Sequence, residues 1–193
     1  PATKAAAEKL ALHDDDRNLA VAALRPHLIW GPRDPHLLPR VVAAARAGRL
    51  AIVGDGHNRV DLTYAANAAR AHVLAAEYLA EHPGVRKTYF ISDDAPVELW
   101  DWSNRMLARL GIAPVTRRIP YRLAYGLGAV LEAVYRLMPR LGEPPMTRFV
   151  AGQLAFSHYF DIGAARRDLG YRPVIPPETA LERTAAWLKE AGI

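Results

Sequence analysis

Polar and aromatic residues follow a short apolar run, at the place where a strand end could support binding chemistry. The run 19–25 has the length and composition of a strand buried in a parallel sheet, and His27 and Trp30 come directly after it. Ligands of doubly wound sheets lie outside the carboxyl ends of strands, so this loop is a candidate binding site. Pro26 is expected to end regular pairing and release the following backbone groups for a ligand. The competing interpretation is a rigid turn with His27 on the surface and Trp30 in the core.

A second candidate is built around a cationic side chain. Arg59 and Tyr64 flank the alternating segment 60–64, which is typical of a strand. A guanidinium presents a planar fork that matches a carboxylate or a phosphate. The alternative is a surface arginine that pairs with Asp55 or Asp61.

Other kinds of chemistry find little support in the sequence. The chain has no cysteine, which excludes disulfides, thiolate metal sites and cysteine nucleophiles. His57, His72 and His158 lack metal-ligand spacing with any acidic residue, so no metal site is predicted. Ser157 and His158 stand near Asp161, but no G-x-S-x-G turn accompanies them, and a hydrolase is therefore not favoured.

The composition is that of an ordinary globular protein. The 193 residues are 51% hydrophobic and 23% charged, with a formal net charge of +5. The basic residues are scattered and carry no nucleic-acid-binding motif, so no nucleic-acid partner is predicted. No apolar run reaches the roughly 18 residues that a membrane helix needs, and no signal peptide opens the chain, which predicts a cytoplasmic protein.

The order of the predicted elements indicates an α/β protein, because strands and helices alternate. Helices are predicted over 2–13, 36–48, 66–81, 97–110, 121–138, 163–169 and 178–190, and strands over 19–25, 50–53, 60–64 and 87–92. The pair Asp93-Asp94 is expected to cap the helix over 97–110. The helix over 121–138 is interpreted as an amphipathic core helix, with Leu123, Leu127, Val130, Leu131 and Val134 on its buried side. A lid or membrane-interface helix is the alternative.

Four segments together resemble one enzyme family. The first covers 25–35 (RPHLIWGPRDP), and the second covers 54–72 (GDGHNRVDLTY, followed by NAARAH). The third covers 147–161 (from TR to FSHYFD), and the fourth covers 165–173 (ARRDLGYRP). In this order the segments resemble the extended short-chain dehydrogenases/reductases, closest to their 3β-hydroxysteroid dehydrogenase branch. The third segment is similar to sterol-4α-carboxylate 3-dehydrogenases, and bacterial 2-alkyl-3-oxoalkanoate reductases carry similar segments.

The resemblance implies the C-terminal half of a Rossmann-type doubly wound parallel sheet with a small, mostly helical substrate-capping domain. The sheet parts are expected near 1–48 and 66–92, and the capping parts near 49–65 and 93–193. The helical pattern over 2–13 starts at once and no G-x-G-x-x-G loop occurs, so the chain reads as the second half of a longer protein.

The implied activity is an NAD- or NADP-dependent reaction at a 3β-hydroxyl or 3-keto group of a bulky apolar substrate. The family's Tyr-x-x-x-Lys pair would place its tyrosine directly before Pro1 and its catalytic lysine at Lys4, one helical turn apart. The resemblance further implies cofactor contacts from Lys4, Pro26, His27 and Ile29, substrate contacts from Trp30, Arg33, Arg59 and Tyr64, and a homodimer.

Two alternatives stay open. One is a nucleotide-sugar epimerase or dehydratase of the same fold, in which Arg59 would bind a phosphate. The other is a non-catalytic truncated or scaffold domain, since this chain lacks the family's tyrosine and glycine-rich loop.

Overall fold

Parallel strand pairs and the helices between them define the architecture. A computed structural model describes residues 2–13, 18–138, 140, 142 and 144–193. Its helices are α1 (Ala2–Leu12), α2 (Leu37–Arg46), α3 (Ala65–Glu81), α4 (Leu99–Arg109), α5 (Tyr121–Leu137), α6 (Arg148–Ala155), α7 (Gly163–Leu169) and α8 (Pro177–Glu190). Its strands are β1 (Val21–Pro26), β2 (Ile29–Trp30), β3 (Ile52–Val53), β4 (Arg59–Val60), β5 (Thr63–Tyr64), β6 (Arg86–Ile91), β7 (Val97–Glu98) and β8 (Arg118–Ile119).

The chain divides into two compact units, each assembled from three separate segments. Unit 1 contains 1–32, 61–95 and 160–180, and unit 2 contains 33–60, 96–159 and 181–193. In unit 1, β1 pairs in parallel with β6, and β2 pairs in parallel with β5. In unit 2, β3 pairs in parallel with β8, whereas β4 and β7 are antiparallel.

The core of unit 1 forms between β6 and the helices α3 and α7. The small side chains of α3 that face inward leave room for aromatic rings from the strand and from the segment after α7, which is close packing by size complementarity. The buried cluster consists of Ala71, Ala75, Tyr89, Ile91, Ile162, Ala165, Leu169 and Tyr171.

The core of unit 2 centres on α4. Its buried residues repeat at helical spacing and include Trp100, Trp102, Met106 and Leu107. The indole N–H of Trp100 donates to the carbonyl of Leu154, 3.2 Å away, and this bond links α4 to α6.

The helices α5 and α6 approach each other closely at a glycine. A Cβ atom at Gly128 would lie 2.6 Å from the carbonyl carbon of Thr147 and 2.7 Å from the nitrogen of Arg148, closer than real Cβ contacts allow. Thr147 caps α6 by accepting a hydrogen bond from the N–H of Val150. The face of α5 that packs on α6 is therefore a face of small residues.

Most predicted elements are present, and their ends lie within two residues of the predicted ones. The segment predicted as one strand over 60–64 forms two short strands, β4 and β5. The helix α6 and the strands β2, β7 and β8 were not predicted. The prediction that α5 buries its large apolar residues is wrong for Leu123, Leu127, Val130 and Val134, which are all exposed. The residues that α5 does bury are Ala124 and Gly128.

Candidate functional site

The carboxyl end of β1 stays paired through the proline. Pro26 stands opposite Ile91 in the β1–β6 register, and the N–H of His27 donates to the carbonyl of Ile91 at 3.3 Å. The N–H of Val21 likewise donates to the carbonyl of Val85, so the odd-numbered residues of β1 direct their N–H groups toward β6. The nitrogen of Pro26 points away from β6, so the lack of an N–H on Pro26 removes no hydrogen bond from the β1–β6 pair. The prediction that Pro26 releases the N–H of His27 is wrong.

Thr63 holds this strand end from a neighbouring strand. Its side chain is completely buried, and its Oγ1 accepts from the N–H of His27 at 3.1 Å. The same hydroxyl lies 2.7 Å from the carbonyl oxygen of His27 and 3.1 Å from that of Ile91, to which it can donate. One threonine thus fixes the conformation of the loop that enters β2. A single threonine in an alternating strand pattern does not indicate this role in the sequence.

Replacing Thr63 by valine is expected to lower the free energy of unfolding by about 1–3 kcal/mol, because it removes a buried hydroxyl that satisfies backbone groups of His27. Thr63→Ser keeps the hydroxyl and is the matched control. Urea unfolding followed by circular dichroism measures both variants. Equal stability of the valine and serine variants would contradict the role of the hydroxyl.

Asp93 holds the junction between β5 and α3. Its carboxylate accepts from the backbone N–H of Tyr64 at 2.9 and 3.0 Å, and from Nδ2 of Asn67 at 2.8 Å. Burial raises the pKa of Asp93, and the hydrogen bonds from Asn67 and Tyr64 oppose that rise. The expectation that the pair Asp93-Asp94 caps the helix over 97–110 is wrong. The helix α4 follows Glu98 and has no side-chain cap, and Asp93 binds the start of α3 instead.

Asn67 extends this network to the segment after α7. Its Oδ1 accepts from the N–H groups of Val174 and Ile175, both at 3.0 Å, and its Nδ2 also donates to the carbonyl of Ile175 at 3.2 Å. The Asn67 side chain is completely buried. Asn67 therefore fastens residues about 108 positions away to the first turn of α3.

Trp30 and Tyr64 form a buried aromatic pair on β2 and β5. Their ring centroids are 5.4 Å apart in an edge-to-face arrangement, and both side chains are less than 5% exposed. Gly31 follows with φ +146°, and a Cβ there would meet the ring of Tyr64 at 3.1 Å. Ile29, on the same strand as Trp30, is about half exposed.

Lys4 lies on α1, whose residues are mostly exposed. One turn further on, Glu8 forms an ion pair with Arg25 of β1, with Nε 2.8 Å from Oε2. The guanidinium of Arg25 lowers the pKa of Glu8 and also lies 5.2 Å from the centroid of the Phe90 ring. This pair ties the helix that carries Lys4 to the strand that ends at Pro26.

Arg33 and Arg59 belong to unit 2. Arg33 is exposed and has a positive φ of 67°, next to Asp34, whose carboxylate accepts from three N–H groups at the start of α2. The guanidinium of Arg59 donates to the carbonyl of Pro96 at 3.2 Å and lies 6.0 Å from the centroid of the Tyr159 ring. The other predicted site residues, Lys4, Pro26, His27, Ile29, Trp30 and Tyr64, belong to unit 1.

The side chains that suggested a hydrolase are engaged elsewhere. Ser157 Oγ accepts from the N–H of Arg59 at 2.9 Å, and Nδ1 of His158 lies 2.9 Å from the carbonyl of Phe156. Asp161 accepts from the N–H of Gly163. Within the described residues, no group of three or more histidines and carboxylates is placed to hold a metal ion.

Solved structures with a similar fold define the fold class of this protein. The structure of MoeE5 in complex with UDP-glucose and NAD superposes with a TM-score of 0.66 at 23% identity, and covers 100% of this chain and 56% of that chain. The structure of gox2253 gives a TM-score of 0.64 at 23% identity, with 98% of this chain and 54% of that chain covered. The fold is α/β and Rossmann-type, as predicted.

Sequence comparison assigns the family within that class. The model of the 3-beta hydroxysteroid dehydrogenase/isomerase family matches residues 1–121, and the chain belongs to this family. It is 50% identical to a 2-alkyl-3-oxoalkanoate reductase of Shewanella oneidensis, over 96% of this chain and 50% of that protein. A reductase of the same name from Stenotrophomonas maltophilia is 47% identical, over 96% of this chain and 56% of the relative.

A more distant relative is the mouse sterol-4-alpha-carboxylate 3-dehydrogenase, decarboxylating, which is 35% identical over 89% of this chain and 49% of its own length. The resemblance predicted from the four sequence segments is confirmed. The chain spans about half the length of the curated relatives that it matches.

Proposed function

We propose that this chain is part of an NAD(P)-dependent oxidoreductase that interconverts a hydroxyl and a keto group at position 3 of a bulky apolar substrate. The observation that carries the proposal is the identity of 50% and 47% to two 2-alkyl-3-oxoalkanoate reductases over nearly the whole chain. A 2-alkyl-3-oxoacid is therefore the first substrate class to test, and a carboxylated sterol is the second.

The end of β1 fits a nicotinamide in part. Ile29 exposes an apolar surface just past the carboxyl end of a parallel strand, which is where ligands of this fold class lie. The N–H of His27 is already bonded to Thr63 and Ile91, so the cofactor contact proposed for His27 and Pro26 is through their ring surfaces. When bound, the nicotinamide supplies or accepts the hydride.

Lys4 is the catalytic residue that we propose within this chain. A tyrosine one turn earlier on the same helix would give a proton to the ketone oxygen, or take one from the hydroxyl in the reverse direction. The ammonium of Lys4 would favour the tyrosinate by its positive charge and so lower the pKa of that tyrosine. The ion pair between Glu8 and Arg25 helps to position the helix, because it anchors the turn that follows Lys4.

Each unit has two of the residues that we propose for substrate binding, Arg33 and Arg59 in unit 2 and Trp30 and Tyr64 in unit 1. The exposed guanidinium of Arg33 and that of Arg59 would each suit the carboxylate of a 3-oxoacid. Because the rings of Trp30 and Tyr64 are less than 5% exposed, we propose that this pair supports the loop after β1 from behind and so helps to shape the substrate site.

Assembly and location complete the proposal. The helix α1 has no buried residue and Leu10 on it is strongly exposed, which supports pairing of α1 with a second copy of the protein in a homodimer. No helix in the described part of the chain is both long and apolar enough to cross a membrane. We propose a cytoplasmic location.

The test is an assay of the longer protein that contains this chain, with NADH and NADPH offered separately. A racemic 2-alkyl-3-oxoacid is expected to cause oxidation of one of the two coenzymes, followed at 340 nm, and to yield the 3-hydroxyacid. The control is an acid of the same chain length that lacks the 3-keto group. It is expected to leave the coenzyme unchanged.

Other outcomes of this assay decide between the alternatives. Turnover of UDP-glucose or dTDP-glucose without reduction of the oxoacid would establish a nucleotide-sugar enzyme instead. Failure to bind either coenzyme in calorimetry would establish a non-catalytic domain.

A further inference from the structure

Two phenylalanine rings are stacked at the carboxyl end of the β1–β6 pair. Phe90 is the last residue but one of β6, and Phe160 comes from the segment that precedes α7. Their ring centroids are 4.4 Å apart, and the angle between the ring planes is 5°. Phe90 stands between Tyr89 and Ile91, which are both buried in the core of unit 1, so the Phe90 ring projects from the opposite face of the sheet. The Phe90–Phe160 stack therefore lies on the face of the sheet opposite that core.

Both rings of the Phe90–Phe160 stack are anchored. The N–H of Phe160 donates to Oδ2 of Asp61 at 2.7 Å, and the Asp61 side chain is almost completely buried. The guanidinium of Arg25 lies 5.2 Å from the centroid of the Phe90 ring. Arg25 stands opposite Phe90 in the β1–β6 register and is ion-paired with Glu8 of α1. The stack therefore has a fixed place within unit 1.

The Phe160 ring also contacts the loop that follows β1. The rings of His27 and Phe160 meet edge to face, with their centroids 5.2 Å apart and an angle of 67° between their planes. The hydrogen bonds of His27 with Thr63 and Ile91 fix its backbone, but they do not set its side-chain torsions. The contact with Phe160 therefore favours one orientation of the His27 ring.

We propose that Phe160 positions the His27 ring for coenzyme binding. The inference rests on the proposed function, in which the ring surface of His27 contacts the nicotinamide. A side chain that is already held in its binding orientation loses less entropy when the ligand arrives, and binding is stronger as a result. Phe160 is a positioning residue, because it acts through His27 and takes no part in the hydride transfer.

The experiment is calorimetry of the longer protein with NADH and NADPH, followed by steady-state kinetics with the 2-alkyl-3-oxoacid. Phe160→Leu keeps an apolar side chain but removes the ring. It is expected to raise the Kd of the coenzyme that the wild type prefers by about threefold to tenfold, the range that an aromatic pair contributes. The KM for this coenzyme is expected to rise with the Kd, whereas the KM for the oxoacid is expected to stay unchanged. A general loss of structure would not separate the two KM values in this way.

Two further variants serve as controls. Phe160→Tyr keeps the ring and is expected to keep the wild-type Kd for the coenzyme. Phe149→Leu makes the same change at an exposed phenylalanine of α6 in unit 2, and it is expected to leave the Kd unchanged. Thermal unfolding checks that each variant is folded. If Phe160→Leu does not fold, Phe160→Met takes its place with the same expected rise in Kd, because a flexible methionine fills the space of the ring.

The outcomes separate this inference from the proposed function. Equal coenzyme binding by the wild type and Phe160→Leu would overturn the inference and leave the proposed function standing. A rise in the KM for the oxoacid alone would also overturn it, because Phe160 would then act on the substrate instead. If the wild type binds neither coenzyme, the proposed function and this inference both fail.

Discussion

Replacing Lys4 by alanine in the longer protein is expected to lower kcat for the 3-oxoacid by roughly 10²–10⁴-fold, the range that general acid–base catalysis contributes. The reason is that the variant loses the cation that would favour the tyrosinate of its partner. The acid limb of the pH–rate profile for alcohol oxidation is expected to move to higher pH, because the pKa of the tyrosine rises when the ammonium is absent. Steady-state kinetics between pH 6 and 10 measures both effects.

Lys9 provides the control on the same helix. Lys9 is also exposed, but it lies well around α1 from Lys4, so Lys9→Ala is expected to retain the wild-type rate. Both variants should unfold at the same temperature as the wild type, because neither side chain is buried. A normal rate in Lys4→Ala would remove the catalytic assignment, and an equal loss in both variants would point to damage to α1.

The largest expected effect on stability comes from Asn67. Truncation to alanine leaves the N–H groups of Val174 and Ile175 without their acceptor and Asp93 without a side-chain donor. Each buried polar group left without a hydrogen-bond partner lowers the free energy of unfolding by about 1–3 kcal/mol. The contribution of Val174 is smaller because Val174 is partly exposed. We expect Asn67→Ala to lower the free energy of unfolding by about 2–4 kcal/mol, measured by urea unfolding.

A second asparagine with a similar task serves as the comparison. Asn104 binds both backbone groups of Val115, at 2.8 and 3.3 Å, but connects only neighbouring parts of unit 2 and is itself partly exposed. We expect Asn104→Ala to cost about 1–2 kcal/mol. If Asn67→Ala cost no more than Asn104→Ala, the segment 171–175 would have to be held by other contacts.

The sequence predicted helices well where their ends carry local signals. Gly170 has the left-handed conformation that ends α7, with φ 61°, and the helix stops where the glycine predicts. The alternating strands and helices likewise determined the fold class, since that pattern depends only on neighbouring residues.

The orientation of α5 could not be predicted, because it depends on a partner that the sequence did not reveal. An apolar stripe normally marks the buried side of a helix. Here α6 packs against Ala124 and Gly128 instead, and no pattern of hydrophobic residues marks such a contact. The same limit applies to Thr63 and Asn67, whose hydrogen-bond partners lie between 26 and 108 residues away.

The division of each unit into three chain segments has a consequence for biosynthesis. The chain passes from one unit to the other after residues 32, 60, 95, 159 and 180. Unit 1 is incomplete until 160–180 has been synthesised, and the hydrogen bonds between Asn67 and the backbone of Val174 and Ile175 can form only then. Nascent chains usually fold domain by domain from the N-terminus, and this chain cannot do so. The early segments of unit 1 therefore leave the ribosome before the residues that cover their apolar side chains in the folded unit have been made.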